Sequence, residues 1–449
     1  MHRPTLKASR TVPPTHPLFG KRTYLPRMAE GSARTLAAVI RSLGIDACVT
    51  PPSDLHSLDL GGQFSSGDEC YPLRITFGDY LRTLELPGFD PQKTAFYVLT
   101  GQGPCRFGQY ASYLKLVLKQ LGYPEITVFT PSTEKGYSDF GEASTVYRRG
   151  AWRAIVSADI LLKLLFKSRP YEVTAGAADT LYEESVEDLC RALEIPYPDD
   201  DTQFEQVRQS LVRARDRFRE LPIQFESKRP LIGVVGEIFC RLTEFSNNQL
   251  VRRLEEAGAE VWMNDIAEWI WYINVDQFRR LKIKGERFSL EALGAHIRNH
   301  IQHKDEHSLI SLFQDDFRGY EEPDDIRIVL DFAQPYLPAS GANGEMVLNV
   351  GKAVYFARKG LDGVIDISPF SCMNGIVSEA LYPKVSRDNA GIPIRNFYFD
   401  GTQSDLERDL GIFVELAKSY QRQKPWPRQF PCLAGSTASE NMVCGARKT

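Results

Sequence analysis

Residues 94–100 read TAFYVLT, a continuous apolar run of strand length. A strand without polar alternation is buried on both faces, as in a parallel sheet covered by helices. Parallel strands cannot be joined by a tight turn, so each needs a crossover of a dozen or more residues before the next. The chain around this run has that rhythm. Residues 22–26 read as a strand, 33–43 as a helix stopped at Gly44, 47–50 as a strand, 111–121 as an amphipathic helix ended by Gly122, and 125–129 as a strand. A second series starts after Lys228-Arg229-Pro230. It has a strand over 231–235, a helix over 248–257, a strand over 259–262 and helices filling roughly 264–320. It closes with a strand over 363–367, a helix starting at 376–380, a strand over 392–399 and a helix over 404–419.

The expected fold class is therefore α/β, with two Rossmann-like or flavodoxin-like parallel-sheet domains and a helical connector. A chain of 449 residues is too long for one core. The expected boundaries are an N-terminal arm over 1–19, an α/β domain over 20–150, a connector rich in Arg, Glu and Leu over 151–228, a second α/β domain over 229–424, and a mobile tail over 425–449. No repeat of 20–50 residues is visible.

The formal net charge of −4 offers no basic field for nucleic acid. No apolar run is long enough to cross a bilayer, so no membrane partner is expected. The opening MHRPTLKASRTVPPTHP has no apolar h-region, and the expected location is cytoplasmic. In that reducing compartment, eight cysteines are ligands, catalysts or core residues rather than disulfides.

Three of them share a setting. Cys105, in GQGPCRFGQY, follows the strand 94–100 and precedes a helix; Cys372, in PFSCMNG, follows the strand 363–367 and precedes a helix; Cys70, in SSGDECYPLR, follows a Gly/Ser loop with Pro72 suited to a first helical turn. Loops at the carboxyl ends of parallel strands carry sites in open α/β sheets. A helix N-terminus favours thiolate, the form that binds iron. The separations of 35 and 267 positions match no compact ferredoxin run and no paired CxxC zinc site, so the ligands would come from distant loops meeting between two domains. Burial alone is the other reading of scattered cysteines. It is the one taken for Cys48 in a strand and Cys190 in a helix, while Cys432 and Cys444 fall in the tail. Cys240, in GEIFCRLTEF, is a candidate fourth ligand that burial explains equally well.

These segments resemble the 2-hydroxyacyl-CoA dehydratase family, in particular its activase-associated branch, from about His16 to Ser419. HPLFGKRTYLPRM looks like the opening strand, SSGDECYPLRITFGDYL and GQGPCRFGQY like the first two cysteine motifs, and PLIGVVGEIFCRLTEFSNN like the start of the second domain. PYLPASGANGEMVLNVGKA, DGVIDISPFSCMNGIVSEAL and IPIRNFYFDGTQSD resemble the closing block with its third cysteine. The resemblance implies a [4Fe–4S] cluster held by Cys70, Cys105 and Cys372, with a double-cubane cluster as the alternative. It implies an ATP-hydrolysing activase as electron donor and an acyl-CoA thioester as substrate, reduced by one electron so that its 2-hydroxyl can leave. It also implies a homo- or hetero-oligomer. The third motif departs from the family pattern in reading CMNG, where proline often follows the methionine. The expected function is a component of an ATP-dependent low-potential reductase or dehydratase-like system. The alternative is a non-catalytic electron-transfer or scaffold subunit. No GxxxxGK[ST] or strand-borne GxGxxG is present, so ATP would be bound by another polypeptide.

Four further groups stand out. His296, His300, His303 and His307 fall on one helical face, which reads as a zinc or nickel site or, by preference, as a solvated polar face. Asp400-Gly401-Thr402 after the last strand is either a site loop or a strand-to-helix turn. Glu237 with Asn247 is a weaker pair for polar contacts in the cleft. Asp68 and Glu69 suit a helix start.

Overall fold

The structure is a computed structural model and describes residues 10–101, 103, 105–131, 136–226, 228–338, 344–402 and 405–430. The first sheet contains β1 (Arg22–Leu25), β2 (Asp46–Val49), β3 (Thr94–Tyr97) and β4 (Thr127–Phe129), in the order β2-β1-β3-β4. The second contains β5 (Leu231–Gly236), β6 (Glu260–Met263), β7 (Gly363–Pro369) and β8 (Ile394–Phe399), in the order β6-β5-β7-β8. Every pairing in both sheets is parallel. Both sheets thus run second, first, third, fourth, a repeat of topology without a repeat of sequence. In this order the winding reverses between the first and third strands, which opens a crevice at their carboxyl ends.

The chain divides into one unit of Met1–Ala158 with Val186–Ser210 and another of Asp159–Ser185 with Leu211–Thr449. The expected single connector is instead three helices, Ser144–Ser168, Ala177–Glu194 and Asp200–Glu220, shared out between the units. Their apolar positions explain why. Val186, Leu189 and Leu193 recur at helical spacing and are fully buried, so this stretch belongs to a core rather than to a spacer.

In the first unit, Ala95, Phe96 and Tyr97 of β3 are completely buried. The strand pairing stops at Tyr97, short of the expected Thr100, although the Val98 amide still donates to Phe129 O at 2.9 Å. The helix Leu55–Gln63, unread from the sequence, and the helix Tyr71–Arg82, of which Pro72 marked the first turn, meet backbone to backbone. A Cβ on Gly78 would lie 1.6 Å from Ser57 O, and one on Gly61 1.8 Å from Arg74 O. Only glycine permits this approach, and it fixes where the second helix begins. The expected free arm is packed from residue 10 onward. Val12 N donates to Leu43 O at 3.0 Å, Leu18 is fully buried and the His16 ring stacks on Phe140. The two apolar side chains among the prolines give the arm something to bury.

In the second unit every residue of β5 and β7 is buried. Gly236 ends β5 at φ +123°, where a Cβ would fall 2.1 Å from Ile367 O, and this lets the chain turn across the end of β7. The expected tail is anchored through Phe430. Lys424 pairs with Asp362 at 2.6 Å, and buried Arg428 pairs with Glu260 at 2.7 Å. Residues 431–449, with Cys432 and Cys444, lie outside the described residues.

Candidate functional site

Cys70 is the residue immediately before the helix Tyr71–Arg82, with extended backbone at φ −75°, ψ 154° and Pro72 in the first turn. Its half-buried side chain packs against the apolar cluster around Phe77 and Tyr110. The Cys70 Sγ lies 2.8 Å from Tyr110 Oη. Cys105 stands in the same position ahead of the short helix Arg106–Gln109, which runs on into the helix Tyr110–Gln120. It is exposed, at the end of the loop that leaves β3. The first and second cysteine motifs therefore meet through Tyr110, five residues beyond Cys105. Asp68 and Glu69 are not at a helix start. Glu69 turns back to accept from Ser66 N at 2.7 Å and Gly67 N at 3.2 Å, which closes the loop before Cys70.

Cys372 precedes the helix Met373–Asp388, which begins three residues earlier than expected. Ser371 before it is in the left-handed region at φ +63°. The half-buried thiol is pushed up to about 12 by burial and by the nearby Glu237 and Glu345 carboxyls, while the Asn374 and Gly375 amides pull against this by donating toward the sulfur. Exposed Phe370, Met373 and Ile376 flank it. Around β5 and β7 lies a set of buried acids that sequence reasoning missed. Burial and Glu237 raise Glu345 to about 8; its Oε1 accepts from Ile238 N at 2.7 Å. Burial raises Asp366 to about 6, with Tyr382 Oη donating to it at 2.6 Å. Neither stood out in the sequence: Glu345 opens the helix Glu345–Arg358, and Asp366 sits in the middle of β7.

Other expected candidates are structural. The Glu237 carboxylate caps its own short helix, accepting from Phe239 N and Cys240 N. The Cys240 side chain is fully buried and hydrogen-bonds to Glu237. Asn247 ties together Cys240 O, Arg241 O and Leu250 N. Asp400 accepts from Thr402 N at 2.8 Å and Thr402 Oγ1 at 2.6 Å, an Asx turn with Gly401 at φ +90°. Of the histidine row, His303 stacks on Trp271 at 3.9 Å and His296 lies against Phe278 at 4.5 Å. Two of the four rings thus serve packing. Cys48 and Cys190 are partly buried, and burial pushes the Cys190 thiol up to about 11.

Among the described residues, no group of three or more His, Cys, Asp or Glu side chains is arranged to hold a metal ion. No helix among them is long and apolar enough to cross a membrane. The three cysteines are nonetheless alike: each has extended backbone directly before a helix, and Cys105 and Cys372 each follow the third strand of a like-ordered sheet. Thiolates are the ligands an iron–sulfur cluster takes; Cys70 and Cys105 belong to one unit and Cys372 to the other. The fold defines a two-unit α/β protein with three cysteines at helix entrances, two of them after the third strands of its sheets. No model of a known family matches the chain, and no curated protein matches it.

Proposed function

We propose that the chain is an iron–sulfur protein holding a [4Fe–4S] cluster through Cys70, Cys105 and Cys372. In this reading it is a component of an ATP-dependent low-potential reductase or a 2-hydroxyacyl-CoA dehydratase-like system, served by a separate activase. The observation that carries the reading is the shared setting of the three thiols. Each stands directly before a helix, whose N-terminus carries positive partial charge; at Cys372 burial and the Glu237 and Glu345 carboxyls outweigh that charge and favour the thiol. The order of the motifs, similar to that of the dehydratase family, adds the electron donor and the acyl-CoA substrate. Exposed Phe370, Met373 and Ile376 around Cys372 supply an apolar surface of the kind that marks a docking or substrate face.

When bound, the cluster supplies one-electron transfer at low potential. The chain's own groups would hold charge beside it. The Asn374 and Gly375 amides support negative charge on the Cys372 sulfur, and buried Glu345 keeps a proton close by at neutral pH. Potentials of such clusters span about −700 to +450 mV, and thioester reduction needs the negative end. Ordinary donors do not reach that end, so ATP hydrolysis on the activase drives the transfer.

The test is anaerobic purification with iron and acid-labile sulfide analysis, then EPR of the protein reduced by activase with and without ATP. About four irons per chain and an ATP-dependent EPR signal are expected. A protein without iron and sulfide refutes the reading. Reduction by a mild donor without any ATPase replaces the activase-served enzyme with the electron-transfer subunit.

A further inference from the structure

Tyr110 is 4% exposed, yet its hydroxyl lies 2.8 Å from the Cys70 sulfur. The ring is held edge-on by two others, Phe77 at 6.1 Å and 82° and Phe107 at 5.3 Å and 70°. These contacts fix the direction of the hydroxyl, so the short contact is built in rather than one of many rotamers. Tyr110 belongs to the second cysteine motif, GQGPCRFGQY, while the sulfur it meets belongs to the first. The neighbouring Tyr113 is one helical turn further on, and its hydroxyl is spent on the Phe64 carbonyl.

We infer that Tyr110 is a positioning residue that donates a hydrogen bond to the Cys70 sulfur and thereby raises the reduction potential of the cluster. The inference rests on the cluster assignment proposed above. A ligand thiolate carries no proton, so in the loaded protein the phenol can only be the donor. Reduction adds negative charge to the cluster, part of it on the sulfurs. A donor aimed at one sulfur therefore stabilises the reduced state more than the oxidised one. The same bond holds Cys70 at a set place relative to the helix that follows Cys105, so the two motifs keep their geometry before iron arrives. Without the cluster, the contact is an ordinary core hydrogen bond and has no redox consequence.

The test is a potentiometric titration of the cluster, followed by EPR, in wild-type protein and in Tyr110→Phe and Tyr113→Phe. All three should hold the same iron. At a fixed solution potential, Tyr110→Phe should show a ratio of reduced to oxidised cluster about tenfold lower than wild type, or about 59 mV for one electron. Tyr113→Phe should match wild type. Full iron with an unchanged potential in Tyr110→Phe overturns the inference and leaves the cluster assignment standing. If Tyr110→Phe loses its iron, 3-fluorotyrosine placed at position 110 alone decides. It keeps the ring and strengthens the donor, so the potential should rise, and no rise overturns the inference. A wild-type protein without iron overturns the cluster assignment, and the inference falls with it.

Discussion

Alanine at any one of Cys70, Cys105 or Cys372 is expected to remove most of the cluster iron, while Cys190→Ala leaves it intact. With three protein ligands, losing one leaves two thiolates for a cubane that needs three or four anchors. The three variants should differ in manner. Cys105 is exposed, so its alanine variant should fold as wild type and lose iron without loss of stability. Cys70 packs against the apolar cluster of its unit and Cys372 is half-buried near Glu237 and Glu345, so their variants should lose iron and shift stability as well. Cys190 controls for the loss of a thiol as such. It lies inside the helix Ala177–Glu194 rather than directly before a helix. The measurement is iron and acid-labile sulfide per folded protein after anaerobic purification, with circular dichroism to establish folding. Full iron in all three variants would sink the ligand assignment.

The strands were legible because parallel strands advertise themselves. The apolar runs at 94–100 and 231–235 have no polar alternation, and each sits within a residue or three of the observed strand. The setting of Cys105 and Cys372 was legible for the same reason, since the loop after a third strand and before a helix can be located once the strands are; that of Cys70 rested on Pro72 in the turn after it. The helix Leu55–Gln63, and its close contact with Tyr71–Arg82, were not legible. Their contact depends on Gly61 and Gly78, and glycine lowers helix propensity, so its packing role shows only in three dimensions. The division of residues 151–228 was missed because amphipathic helices reveal that they bury a face but not which core receives it. Glu345, Asp366 and Tyr110 were missed because single polar residues within apolar surroundings have no spacing to betray them. The histidine row had the opposite fault, a strong spacing whose rings at 296 and 303 serve packing.

Lys352→Met is expected to destabilise the C-terminal unit by about 3–5 kcal/mol, the usual cost of stripping one partner from a buried ion pair. Lys352, on the helix Glu345–Arg358, is completely buried. Its ammonium lies 2.6 Å from Glu268 Oε2 and also pairs with Glu322. Glu322 is held from two further sides, by Lys163 Nζ at 2.5 Å and Trp262 Nε1 at 2.7 Å, and Lys163 reaches Asp265 at 3.3 Å. Among the described residues, Lys352 is the sole ion-pair partner of Glu268, which would keep only the Asn264 amide at 2.9 Å. Methionine fills the space of the lysine stem but returns no charge, so Glu268 must either take a proton or stay ionised in a dry site. The double variant Lys352→Met with Glu268→Gln should therefore recover part of the loss. The pH dependence has a definite sign. Burial alone would raise Glu322, but the ammonium groups of Lys163 and Lys352 outweigh it and hold the carboxyl down at about 2. A depressed carboxyl contributes stability above its unfolded value, about 4.3, and loses it as pH falls toward the folded value. The gap between wild type and Lys352→Met should thus be widest at neutral pH and narrow as the solution is acidified through that window. Urea unfolding followed by tryptophan fluorescence at several pH values measures both quantities, with Trp262 reporting from within the network. A loss below about 1 kcal/mol at neutral pH would place the pair among the many ion pairs that contribute little.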